Sequence, residues 1–134
     1  MITVITGPPC AGKSTHIQTH AAPGDIIIDL DRLALALSPD GTPHHEYPMY
    51  TRQVARAARA AAISAAVQIG RATPVGVWII DTFPSRPRWR SMGAQIITVD
   101  PGYRTCVERA RSQRPEWVQQ IIARWYAEFS SPED

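Results

Sequence analysis

The run Gly7 to Ser14 reads GPPCAGKS and fits the spacing G-x-x-x-x-G-K-[ST], a loop built to hold phosphate oxygens. Each residue type has a reason. The backbone N–H groups of such a loop and of the helix behind it converge on an anion. Gly7 and Gly12 allow backbone angles and close approaches that a Cβ would block. Lys13 would reach the β- and γ-phosphates of a nucleotide, and the Ser14 hydroxyl would ligate Mg²⁺. Lys13 is also the only lysine among fourteen Lys and Arg residues. The candidate phosphate-binding set is Gly7, Pro8, Cys10, Ala11, Gly12, Lys13, Ser14 and Thr15, with ATP and Mg²⁺ as the implied ligands. The plain alternative is a glycine-rich turn between a strand and a helix. The flanks argue against it: Met1 to Thr6 is a short β-branched run, and Lys13 to His20 can start a helix.

Phosphoryl transfer needs more than a donor cradle. Something must orient the acceptor, and cations must meet the charge that spreads in the transition state. Asp29 and Asp31 follow a second apolar run and point to the same side of an extended segment. Asp31 is assigned the base that takes a hydroxyl proton; Asp29 is its rival, and one of the pair can instead cap the next helix. Asp81 ends a third apolar run and is a second candidate Mg²⁺ ligand, with a turn residue as the alternative. Arg109, Arg111 and Arg114 can close over donor phosphates, with Arg109 the catalytic candidate; ordinary surface arginine is the alternative for some of them. Arg86, Arg88 and Arg90, interleaved with Pro84, Pro87 and Trp89, read as a second basic loop. Arg86 could meet an acceptor phosphate there, and Trp89 could stack on a base.

These residues need a scaffold. Strands are expected at Met1–Thr6, Asp25–Asp29, Val75–Asp81 and Gln95–Asp100. A short helix carries Leu30, Leu33, Ala34 and Leu37 on one face. An irregular segment from Ser38 to Pro48, with His44, His45, Glu46 and Tyr47, is a candidate substrate-side flap; the His44-His45 pair by itself reads as solvated loop. A long alanine-rich helix runs from Tyr50 to Ile69, with Val54, Ala58, Ala61, Ala65 and Ile69 expected toward the core. Arg52, Arg56 and Arg59 share another face, either solvated or a phosphate-contacting ridge. Tyr103, Cys106, Val107 and Ala110 form the stripe of a further helix. Trp117, Val118, Ile121, Ile122, Trp125, Tyr126 and Phe129 form that of a last one, read as core with no ligand box. Residues 130–134 are expected to fray.

Strands alternating with helices predict an α/β fold, a single P-loop NTPase domain over 1–134 with a parallel sheet of about four strands and helices on both faces. Ligands in such sheets sit beyond the carboxyl ends of the strands, where the glycine loop, Asp29 to Asp31, Asp81 and Asp100 all fall. A net charge of +2 permits a polyphosphate or nucleic-acid partner without requiring one. No run is apolar enough to span a bilayer and no leader pattern opens the chain, so a cytoplasmic location is the expectation. Two cysteines and no zinc-type spacing argue against a disulfide or a zinc site.

On these residues the chain resembles the small P-loop kinases that phosphorylate nucleotides and nucleic-acid ends. One branch is the kinase domain of phage-type polynucleotide kinase with its zeta-toxin-like relatives. That resemblance rests on Gly7 to Ser14, on Asp31 as base toward a 5′-hydroxyl, and on Arg109 to Arg114 as a short lid. The other is adenylate kinase, carried by the glycine loop and by Trp78 to Arg86, which is similar to its apolar-D-G-F-P-R signature. Thr82 stands at the glycine there, and Ser85 separates proline from arginine. Both branches imply an arginine three residues after the acid of the second strand, to grip acceptor phosphate. Counted from Asp31 that position is Ala34; counted from Asp29 it is Arg32. The implied acceptor is a nucleic-acid 5′ end or a nucleotide.

Overall fold

The computed structural model describes residues 1–129; the expected fraying of 130–134 lies outside them. Four parallel strands form one sheet in the order β2-β3-β1-β4. They are β1 (Ile2–Thr6), β2 (Ile26–Ile28), β3 (Val77–Ile80) and β4 (Gln95–Thr98). Each is shorter than its apolar run in the sequence. β1 lies at the centre, paired with β3 through Ile2↔Val77 to Ile5↔Ile80 and with β4 through Thr3↔Gln95 to Thr6↔Thr98. All five of its residues are buried, as a central parallel strand covered on both faces requires.

The helices are α1 (Lys13–His20), α2 (Leu30–Ala36), α3 (Met49–Ala72), α4 (Arg86–Ser91), α5 (Tyr103–Gln113) and α6 (Val118–Phe129). Strand alternation turns Ile2 and Val4 to one face, where they pack with Ile28, Val77, Ile79, Trp89 and the α3 residues Ile63, Ala66 and Val67. A second cluster joins Ala11 of the glycine loop to Cys106, Val107 and Ala110 of α5 and Val118 and Ile122 of α6. The loop is thereby seated on packed helices rather than left as a free turn.

Several expectations need correction. The buried stripe of α3 is Ala55, Ile63, Ala66 and Val67, whereas Val54 and Ile69 are exposed. Alanine on every face of that helix hides its phase. The segment Arg86 to Arg90 is helix α4, not a basic loop, because Pro87 falls in the first turn, where no N–H is needed. Trp89 is 2% exposed and cannot stack on a base. Tyr103 and Trp117 are exposed at the edges of their stripes. Among the described residues no helix is long and apolar enough to cross a membrane.

Candidate functional site

β1 ends at Thr6 and the chain turns at once into the glycine loop. A Cβ on Gly7 would lie 2.2 Å from the Val99 carbonyl oxygen, so only glycine allows the loop to pass the end of β4. Cys10 and Gly12 take positive φ values of 64° and 97°. Gly12 is the N-cap of α1, and among the described residues no side chain caps that helix start. Its first N–H groups therefore remain available to an anion. Cys10, Ala11, Gly12, Lys13, Ser14 and Thr15 line a cleft of about 1300 Å³. Gly7 and Pro8 are buried beneath it, where both carbonyls accept from Lys13 Nζ, at 2.6 and 3.0 Å.

The Lys13 ammonium also donates to Thr82 Oγ1 at 3.3 Å. Burial pushes its pKa down to about 8, against the opposing pull of Asp29. Thr82 is a residue that motif reasoning missed. Its carbonyl accepts from Thr6 Oγ1 at 3.2 Å and from Trp125 Nε1 at 2.9 Å, tying the end of β1 and helix α6 to the lysine. The departure from glycine at position 82 was visible in the sequence; its partners, 69 residues back and 43 residues on, were not.

The cleft is also lined by two carboxylates, Asp29 and Asp31. Asp29 is the N-cap of α2, its Oδ1 accepting from the Asp31 N–H at 3.1 Å. Burial first, and the neighbouring Asp31 second, raise its pKa. Asp31, in the first turn of α2, has its pKa lowered, chiefly by a hydrogen bond from His45. His45 Nδ1 stands 3.1 Å from Asp31 Oδ2. His44 is hydrogen-bonded through Nδ1 to the Tyr47 hydroxyl at 2.7 Å. Both histidines line the cleft, so the His44-His45 pair, read from sequence as solvated loop, lies against the acids within the segment expected as a substrate-side flap. Arg32 is exposed and lies outside the cleft lining, as does Ala34, which is core.

Cations reach the cleft from two other directions. Arg56 and Arg59 come from α3, while Arg52 of the same stripe does not line the cleft. Arg59 Nη2 donates to the Ile80 carbonyl at 3.0 Å and lies 4.0 Å from Asp81 Oδ2. From α5, Arg109 Nη1 donates to the Cys10 carbonyl at 3.1 Å, bringing its guanidinium over the glycine loop. Arg114, the C-cap of α5, also lines the cleft. Arg111 does not: it is two helical positions from Arg109 and exposed on the other side. Arg86 lies in a separate small groove with Pro84, Arg90 and Phe129, not in this cleft. Asp100 is likewise absent from the lining; its carboxylate accepts from the Gly102 N–H and the Tyr126 hydroxyl and is a tether for α5 and α6.

The oxygen donors nearest the sequence expectation for a metal are the exposed Ser14 hydroxyl and the Asp81 carboxylate, with the Asp29 and Asp31 carboxylates in the same cleft. Asp81 is already anchored, its Oδ2 accepting from Trp89 Nε1 at 2.9 Å. Among the described residues no three His, Cys, Asp or Glu side chains cluster to hold a metal. A sparse all-oxygen set fits Mg²⁺, which keeps several waters and borrows phosphate oxygens from its ligand.

No curated protein matches the chain at a significant level. A family model described as an AAA domain matches residues 2–130, nearly the whole chain. That is a P-loop, kinase-like family, and nucleotide binding follows from its loop. With the loop, the parallel sheet and the converging cations in place, the chain belongs to the AAA domain family.

Proposed function

We propose that the protein is an ATP- and Mg²⁺-dependent phosphotransferase that moves a γ-phosphate to a hydroxyl of a nucleic-acid 5′ end or a related nucleoside-type acceptor. The observation that carries this reading is one cleft, about 1300 Å³ in volume, with a phosphate loop on one wall and two carboxylates on another. A site for one small ligand is typically about 300–1,000 Å³, so this cleft has room for donor and acceptor together. A simple ATPase has no need of paired acids facing the loop.

In this reading the glycine loop and the start of α1 bind the donor phosphates, and Lys13 leaves its loop carbonyls to meet them. Arg109, already over the loop, adds positive charge where it develops on the transferred group. Ser14 would hold Mg²⁺ directly and Asp81 through water, since Trp89 occupies one of its oxygens; the ion's part is to neutralise and align the phosphates. Asp31 is responsible for the acceptor proton, and Asp29 fixes the backbone that presents it. Asp31→Asn should lower transfer by roughly 10²–10⁴-fold, the usual worth of a general base, while a fluorescent ATP analogue still binds. Undiminished transfer by that variant would remove Asp31 from the chemistry.

Arg56 and Arg59 favour a second reading. They bring two guanidinium groups to the cleft, which suits an acceptor that carries its own phosphate, as in a nucleoside monophosphate kinase. Such an acceptor needs no hydroxyl base, so Asp31→Asn would leave its turnover largely intact.

A further inference from the structure

We infer that His45, oriented by Asp31, is the group that takes the acceptor proton, so that the base of this site is a histidine–carboxylate pair rather than a lone aspartate. The inference rests on the hydroxyl-acceptor reading above and makes it more specific. An ionised carboxylate can only accept, so the 3.1 Å contact between His45 Nδ1 and Asp31 Oδ2 puts the ring proton on Nδ1. Nε2 is then the basic nitrogen. The His45 side chain is 16% exposed, against 45% for Asp31, and both line the cleft that holds the glycine loop. A carboxylate that already accepts from an imidazole is a poorer proton acceptor than the imidazole it orients.

The backbone supports a positioned residue. Among the described residues, His45 is one of two non-glycine residues with positive φ, at 72°, the other being Cys10 in the glycine loop. A side chain in that region carries strain that surrounding contacts must offset. Here the contacts are the Asp31 bond and the His44 ring, whose centroid lies 3.7 Å away. The charged and titratable groups around the His45–Asp31 pair and the adjoining His44 and Tyr47 are Asp29 at the start of α2 and Arg114 at the end of α5.

The step balances as follows. The acceptor oxygen forms a bond to the γ-phosphorus, and the bond from that phosphorus to the β,γ-bridging oxygen breaks, its electron pair leaving with ADP. The hydroxyl proton passes to His45 Nε2, and the imidazolium is held by Asp31 until it loses the proton to water.

The test uses the positive φ. Glycine takes φ 72° without strain and leaves a space the size of the ring, whereas asparagine tolerates the angle and partly fills that space. Transfer from ATP with Mg²⁺ to a 5′-hydroxyl oligodeoxynucleotide would be followed for His45→Gly and His45→Asn, with binding of a fluorescent ATP analogue as the check on folding. The pair predicts kcat lower by roughly 10²–10⁴-fold in both, ATP-analogue binding kept in both, and added imidazole restoring turnover in His45→Gly but not in His45→Asn. Unchanged kcat in either variant, or a loss in His45→Gly that imidazole does not rescue, overturns the histidine's role and leaves the kinase reading standing. No transfer by the wild-type protein to this oligonucleotide, to 5′-hydroxyl RNA or to nucleosides overturns both.

Discussion

Lys13 donates to two carbonyls and a hydroxyl, none of them ionised, from a half-buried position at the foot of the cleft. That is an unfavourable place for an ammonium, and partial removal from water pushes its pKa down to about 8. A phosphate placed among these donors would favour the charged form, so the pKa must rise when nucleotide binds. The sign follows directly. Above about pH 8 the free protein has begun to lose the Lys13 proton while the complex retains it, so binding takes up a proton and affinity falls as pH rises. Below that pH both states are protonated and affinity is level in this respect. Titration calorimetry at pH 9 in buffers of different ionisation enthalpy should show net uptake approaching one proton per nucleotide. Uptake of none would mean that Lys13 does not meet the phosphates. Asp29 and Asp31 diverge for reasons of the same kind: burial and a like charge raise one, and the His45 bond lowers the other.

At the scale of elements, α4 is the piece that changes most in meaning. It delivers Trp89 into the core and points its indole N–H at Asp81, so the tryptophan positions a cleft carboxylate from behind. Trp89→Phe keeps most of the apolar volume and removes that donor. A hydrogen bond to a charged group contributes about 1.5–3 kcal/mol. The variant should lose roughly that much stability in urea unfolding, and should lose Mg²⁺-dependent activity more than ATP-analogue binding. Full stability would show that the Asp81 contact contributes nothing. The four strands were legible because β-branched runs bounded by Pro and Gly leave few alternatives, and the glycine loop because its spacing is tied to backbone geometry. What stayed hidden was non-local or degenerate. Alanine on every side of α3 made its core face unreadable, though the arginine stripe that reaches the cleft was visible. The His45–Asp31 bond joins residues 14 positions apart across an irregular segment. Proline at the start of α4 signals a loop as readily as a first turn. The apolar period of α6 predicts core along the whole stripe, yet Trp117 and Ile121 at its edge line the cleft.

Across the whole molecule, charge is concentrated where the strands end. The cleft is lined by five cations, Lys13, Arg56, Arg59, Arg109 and Arg114, against three carboxylates, Asp29, Asp31 and Asp81. The surplus of two equals the net charge of the entire chain, +2. A basic concavity with low-dielectric walls focuses the field on a polyphosphate ligand. In the proposed reading, donor and acceptor sides are assembled from separate parts of the chain: the loop and α5 for the donor, α2, α3 and the histidine segment for the acceptor. This division is what a phosphoryl-transfer enzyme needs and a nucleotide-binding switch does not. The most direct test is transfer of labelled γ-phosphate from ATP with Mg²⁺ to a panel of 5′-hydroxyl DNA and RNA, nucleosides and nucleoside monophosphates, with Lys13→Ala as the blank. The account predicts label on a hydroxyl of the nucleic acid or nucleoside, lost in the blank. Label confined to monophosphates, or release of free phosphate with every acceptor unlabelled, would contradict it.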